Sequence, residues 1–163
     1  MNVLIVYASW FGHNRSIAKL IAAELEQRGA TVVCAPVTKV SSQDVVGYDL
    51  LVLGTYTHAG RASRRLRALC ETLALRLFER IAVVIFGTQI RQAQPSAGRT
   101  CGVDDLEACL TGRGCELALA PLRIELPAGQ AILSGKSLEP ADRRRIKEFA
   151  ADLWEASVAA PLI

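Results

Sequence analysis

Only two histidines accompany the five cysteines of this chain, and no two cysteines are spaced C-x-x-C, so the usual metal-ligand patterns find no foothold. The cysteines (Cys34, Cys70, Cys101, Cys109 and Cys115) are odd in number, which argues against a disulfide framework and for reduced thiols. Cys34 and Cys115 fall in apolar strand-like runs and are expected to be buried, whereas Cys101 borders a long irregular stretch and is expected to react most readily. No apolar run approaches the roughly 18 to 20 residues needed to cross a bilayer, and the opening MNVLIVYAS reads as a strand, not a basic cleavable leader. A cytoplasmic protein is therefore expected. Neither a GK[ST] loop nor the G-x-G-x-x-G spacing is present, so the nucleoside triphosphate and dinucleotide readings lose support. Repeats, linkers and low-complexity tracts are also missing.

What is present is an alternation. Short runs rich in Val, Ile and Leu (Val3 to Tyr7, Thr31 to Ala35, Leu50 to Gly54, Ile81 to Phe86 and, less regularly, Glu116 to Ile124) read as strands. Between them, about Asn14 to Arg28, Ala62 to Leu77, Val103 to Arg113 and Pro140 to Ala156 carry the helical period. Gly29 and Pro140 supply a helix stop and a helix start, and Ile146, Phe149, Ala150 and Leu153 mark the inward stripe of the last helix. Continuously apolar strands imply a parallel sheet covered on both faces. With 163 residues, 51% of them hydrophobic, the chain is read as one α/β domain over residues 1–163.

Such sheets bind ligands at the carboxyl ends of their strands. Ser9 to Asn14, Thr55 to Arg61 and Thr88 to Cys101 follow the first, third and fourth strands and would share that edge. The stretch from Gly87 to Gly102, with Gln89, Gln92, Gln94 and Pro95, is longer than a simple connection needs. In Ser9-Trp10-Phe11-Gly12-His13-Asn14, a strand runs into a helix start, where unpaired N–H groups and the peptide dipoles favour an anion. Ser9, Asn14 and Ser16 add neutral donors, and Gly12 lets a phosphate approach the backbone. A monophosphate is the expected ligand. The alternative is that Ser9 and Asn14 simply cap the helix.

The order of these pieces resembles a flavodoxin. Tyr7-Ala8-Ser9-Trp10-Phe11-Gly12-His13-Asn14 resembles that family's phosphate loop, Tyr48 to Thr55 its third strand, and Val83 to Thr88 its fourth. Cys101 to Leu106, Gly114-Cys115-Glu116 and Leu122-Arg123-Ile124 resemble its last third. The resemblance implies a three-layer sandwich with a five-stranded parallel sheet in the order 2-1-3-4-5. It also implies FMN held by Ser9, Trp10, Phe11, Gly12, His13 and Asn14, by Thr55, Tyr56, Thr57, His58, Ala59 and Gly60, and by Gly87, Thr88 and Gln89.

Rival families with the same strand order fail on chemistry. A phosphoacceptor receiver needs acidic residues where this chain has Tyr7-Ala8-Ser9 and Gly54-Thr55-Tyr56, and a Cys-dependent phosphatase needs a thiol in the first loop. Within the resemblance the chain has its own features. His58 stands where the family often stacks a tryptophan, and Ala59 or Gly60 where it commonly has a glycine whose peptide turns toward the flavin. No aromatic residue lies between Thr88 and Cys101, while Trp10 and Phe11 add apolar surface to the phosphate loop. Arg61, Arg64, Arg65, Arg67, Arg91 and Arg99 give the site a basic rim, against a family that is typically acidic. The net charge of +3 and the lack of an aromatic platform speak against nucleic acid.

The resulting expectation is an electron carrier between redox partner proteins, acidic ones included, with no catalytic side chain, no metal and no membrane contact, as a monomer or weak homodimer. Two alternatives remain open on sequence: a small FMN-dependent reductase of a quinone or similar acceptor, and a flavodoxin-like interaction module that has lost FMN.

Overall fold

A computed structural model describes residues 1–91, 100–129 and 138–159. The strands are β1 (Asn2–Tyr7), β2 (Thr31–Pro36), β3 (Leu50–Tyr56), β4 (Ala82–Ile90) and β5 (Leu122–Leu126), and the helices are α1 (His13–Gln27), α2 (Arg64–Thr72), α3 (Gly102–Thr111) and α4 (Pro140–Ala159). All the strand pairs are parallel, in the expected order β2-β1-β3-β4-β5.

Each central strand is apolar on both faces because both are covered. Ile17, Ile21 and Leu25 of α1 join Ile146, Phe149 and Leu153 of α4 against Val3, Ile5, Val52 and Phe86. On the other side Leu66 and Leu69 of α2 and Val103, Leu106 and Leu110 of α3 pack on Leu4, Val6, Leu53 and Ile85. Full burial of such side chains contributes roughly 1.5–3 kcal/mol each, which makes the two layers the main source of stability. No helix among the described residues is long and apolar enough to cross a membrane.

Several boundaries differ from the sequence reading. β4 runs on through Gly87, Thr88 and Gln89 to Ile90, because Gly54-Thr55-Tyr56 of β3 and Leu122–Leu126 of β5 flank it in register there. Those residues therefore belong to a strand and not to a loop. The fifth strand begins at Leu122, six residues later than expected at Glu116 (122 − 116 = 6), while Leu117 makes only an isolated bridge to Val83. The second helix stops at Thr72 and resumes as a 3-10 turn over Leu75–Glu79. Gln92, Gln94, Pro95 and Arg99 lie outside the described residues.

Two cysteine expectations are overturned. Cys34 is exposed, because β2 is the edge strand and only one of its sides is paired. Cys101 is buried: as the residue before α3 it sits in a reciprocal cap, its N–H donating to Asp104 Oδ2 at 3.1 Å. All five cysteines are free thiols.

Candidate functional site

The carboxyl edge of the sheet gathers the first two predicted loops around the end of β4. Ala8 N–H donates to the Gly54 carbonyl at 2.8 Å, which ties the segment after β1 to β3 before it turns into α1. Gly12 makes that turn at φ 89°, a left-handed conformation that glycine adopts without penalty, and α1 starts immediately after it. No side chain caps α1, so the capping alternative for Ser9 and Asn14 is not realised. Asn14 instead donates from Nδ2 to the Ala8 carbonyl at 2.9 Å and holds the loop closed.

Ser9 Oγ and Asn14 Oδ1 are buried here with no hydrogen-bond partner among the described residues. Leaving such a group unsatisfied costs about 1–3 kcal/mol. A hydroxyl that can donate and an amide oxygen that can accept, beside a helix N-terminus, form a donor set suited to a ligand carrying both a phosphate and hydroxyl groups.

The second wall comes from the segment after β3. His58 and Arg61 exchange backbone hydrogen bonds, each 3.0 Å, around Ala59 (φ 50°) and Gly60 (φ 75°). Positive φ at both central residues defines a tight type I′ turn. The turn is braced from α3: Gly102 N–H donates to Thr57 Oγ1 at 2.9 Å, Thr100 Oγ1 donates to the Gly60 carbonyl at 3.1 Å, and Asp105 accepts from Ala62 N–H at 3.0 Å. A side chain at Gly102 would collide with the Tyr56 carbonyl, so this close approach requires glycine.

Three rings meet between the two walls. Trp10 packs on Tyr56 with centroids 5.6 Å apart, and edge-on to His58 at 5.3 Å. Phe11 stacks against Trp10 with centroids 6.3 Å apart. Beneath them is a cavity of about 190 Å³. Ser9, Trp10, Phe11, His13, Asn14, Tyr56, Thr57, His58, Thr88 and Gln89 line it, together with Ile90 and Leu126. A wider depression of about 510 Å³ between the end of α3 and Pro121 presents no comparable unsatisfied polar atom among the described residues.

Not every predicted residue reaches the cavity. Gly12, Thr55, Ala59, Gly60 and Gly87 do not line it. Thr55 is buried and accepts the Ser63 N–H at 3.0 Å, so its hydroxyl serves the start of α2. Gly87 lies against Val103 and the Thr55 carbonyl, where a Cβ would clash. Leu126 was missed because it closes β5, a strand whose sequence limits are weak. The signal that could have found it is the alternation of Leu122, Ile124 and Leu126.

Charge at this edge is more selective than the sequence implies. Arg67 is not a free rim cation: it bonds Asp105 at 2.7 Å and Glu71 at 3.3 Å, and its pKa is raised by the Glu71 bond and then by Asp105. Arg123 is held by Asp104 at 2.7 Å and Glu107 at 3.3 Å. Although desolvation alone would raise the Asp104 pKa, hydrogen bonds from Arg123 and the Cys101 backbone hold it below the ordinary carboxylate value.

A parallel α/β sheet with a polar helix-start cradle and an aromatic-lined cavity at its carboxyl edge defines a doubly wound protein with a candidate ligand site where such folds place one. The chain belongs to the flavodoxin family: the model for the flavodoxin domain matches residues 4–101. Among solved structures, flavodoxin 2 of Bacillus cereus is 26% identical with a TM-score of 0.74, over 95% of this chain and 99% of that one. Flavodoxin 1 of the same organism is 20% identical with a TM-score of 0.75, over 95% and 98%. Rubredoxin:oxygen oxidoreductase of Desulfovibrio gigas is 18% identical with a TM-score of 0.72, and 98% of this chain corresponds to 37% of that larger one. No curated protein matches by sequence.

Proposed function

We propose that this chain is an FMN-binding electron carrier that works between redox partner proteins in the cytoplasm, with residues 1–163 as one flavodoxin-like domain. The observation that carries the reading is Ser9 Oγ in the segment leading into α1, buried without a partner among the described residues. Membership of the flavodoxin family and the resemblance to two oxidised flavodoxins support it. Free thiols throughout agree with a reducing compartment.

In this reading Ser9 and the opening N–H groups of α1 hold the phosphate, and Asn14 Oδ1 accepts a ribityl hydroxyl. Trp10, Tyr56 and His58 cover apolar ring surface, and Thr88 and Gln89 form the floor. FMN, when bound, supplies reversible electron uptake and release. The protein's own part is to orient the ring, exclude water from it and set which edge a partner can reach.

The test is a titration with FMN and with riboflavin, followed by fluorescence quenching. FMN should bind far more tightly, and Gly12→Asp, which adds a Cβ and a carboxylate beside the cradle, should abolish the difference. Equal affinity for the two flavins in the native protein would refute the assignment.

A further inference from the structure

Glu125 of β5 accepts from Gln89 at 3.2 Å and Asp105 of α3 from Arg67 at 2.7 Å, while residues 1–23, 50–70, 80–91 and 100–103 of the surrounding segments carry neither Asp nor Glu. The basic residues on them divide sharply. Arg67 is consumed by Asp105 and Glu71, and Arg91 lies 4.0 Å from Glu125. Arg15 at the start of α1, Arg61 at the hairpin turn, and Arg64 and Arg65 at the start of α2 are exposed and make no ion pair among the described residues. At the cavity mouth Trp10 is 65% exposed, Phe11 46% and Ile90 52%, so large apolar side chains stand in water there.

We propose that this face is the docking surface for an acidic protein partner, with Trp10, Phe11 and Ile90 as the apolar centre and Arg15, Arg61, Arg64 and Arg65 as the charged frame. The proposal rests on the electron-carrier reading, since whatever covers the cavity mouth is what exchanges electrons there. Trp and Arg are the residue types that most often dominate interface energy. A small apolar centre suits the limited area of a transient redox complex. A second copy of the chain is disfavoured, because two like-charged frames would face each other. Unpaired arginines around the mouth focus positive potential and hasten encounter with an acidic surface, an effect that salt diminishes.

The experiment is an NMR titration of the ¹⁵N-labelled, FMN-loaded full chain. Its probes are an acidic plant-type [2Fe–2S] ferredoxin and, as the opposite-charge control, cytochrome c. Ferredoxin should perturb the Trp10 indole, Ile90 and the Arg61 to Arg65 segment, with affinity falling roughly tenfold or more from low to physiological ionic strength. The triple variant R61E/R64E/R65E should lose ferredoxin binding by a similar factor, and R61E alone should show part of that loss should the triple variant lose its native spectrum. Ferredoxin binding elsewhere, binding indifferent to these reversals, or preference for cytochrome c would overturn the proposal. Perturbation by NADPH or by phosphatidylserine vesicles, with none by ferredoxin, would overturn it in favour of a small anion or a membrane surface. The two readings fail separately: FMN bound without ferredoxin binding sinks the docking surface, whereas failure to load FMN, with ferredoxin binding intact on the unloaded chain, sinks the cofactor reading.

Discussion

Trp10 meets His58 edge-on, ring centroids 5.3 Å apart and planes at 71°, across the mouth of the cavity. The contact joins the segment after β1 to the hairpin after β3, so these two walls of the site are linked by side chains as well as by backbone. Trp10→Ala removes the largest ring and should weaken FMN binding roughly tenfold, about 1.4 kcal/mol, within the range of one aromatic pair. Calorimetric titration of the variant checks the figure, and quenching of Trp10 emission by FMN in the native chain should disappear with it.

The turn at Ala59 and Gly60 holds a testable strain. Ala59 sits at φ 50°, which costs a non-glycine residue about 1–2 kcal/mol. Ala59→Gly should therefore stabilise the protein by about 0.5–1 kcal/mol after the entropy of glycine is subtracted. Gly60→Ala should do the reverse, by about 1–2 kcal/mol, since φ is 75° and a Cβ would lie 3.0 Å from the Thr100 carbonyl oxygen. Urea unfolding of both variants provides the comparison.

Gly54 and Phe86 pair across β3 and β4, and the Phe86 ring fills the space a side chain at Gly54 would need. Gly54→Ala should cost about 3 kcal/mol or more, at the upper end of overpacking. The same substitution combined with Phe86→Leu should cost less than the sum of the two single changes, because the shortened side chain frees the site. A double-mutant cycle measures the coupling.

The thiols should separate by accessibility. Cys34 is exposed, although desolvation still raises its pKa, so it should react with a thiol probe first and without unusual speed. Cys70 and Cys115 are buried, with pKa values pushed up to about 12 and about 11, chiefly by desolvation. They should react only on unfolding. Both pKa values lie above those of an unfolded thiol, so the stability that these groups contribute is intact below the ordinary thiol pKa. It should be lost as pH rises from about 9 toward 11–12. Cys34→Ser should abolish the fast phase of labelling, and denaturation from pH 7 upward should show the decline.

The parallel sheet covered on both faces and the helix-start loop were legible in the residues because they are written locally, whereas the strand order came from the resemblance to flavodoxins. Continuous apolar runs mark strands buried on two faces, Gly12 marks a left-handed turn, and Ile146, Phe149 and Leu153 recur at the spacing of one helix face. Pairing and packing decided the rest. An apolar run does not reveal that its strand lies at an edge, and Cys34 is exposed because β2 has a neighbour on one side only. Arg64 and Arg67 look alike in sequence, yet Arg67 meets Asp105, 38 residues away, while Arg64 is exposed and makes no ion pair among the described residues. Leu126 reaches the cavity only because β5 pairs with β4 up to Ile90. Residue type and local spacing specify which element forms, whereas a side chain's charge partner, exposure and share in a cavity depend on contacts between segments far apart in the chain.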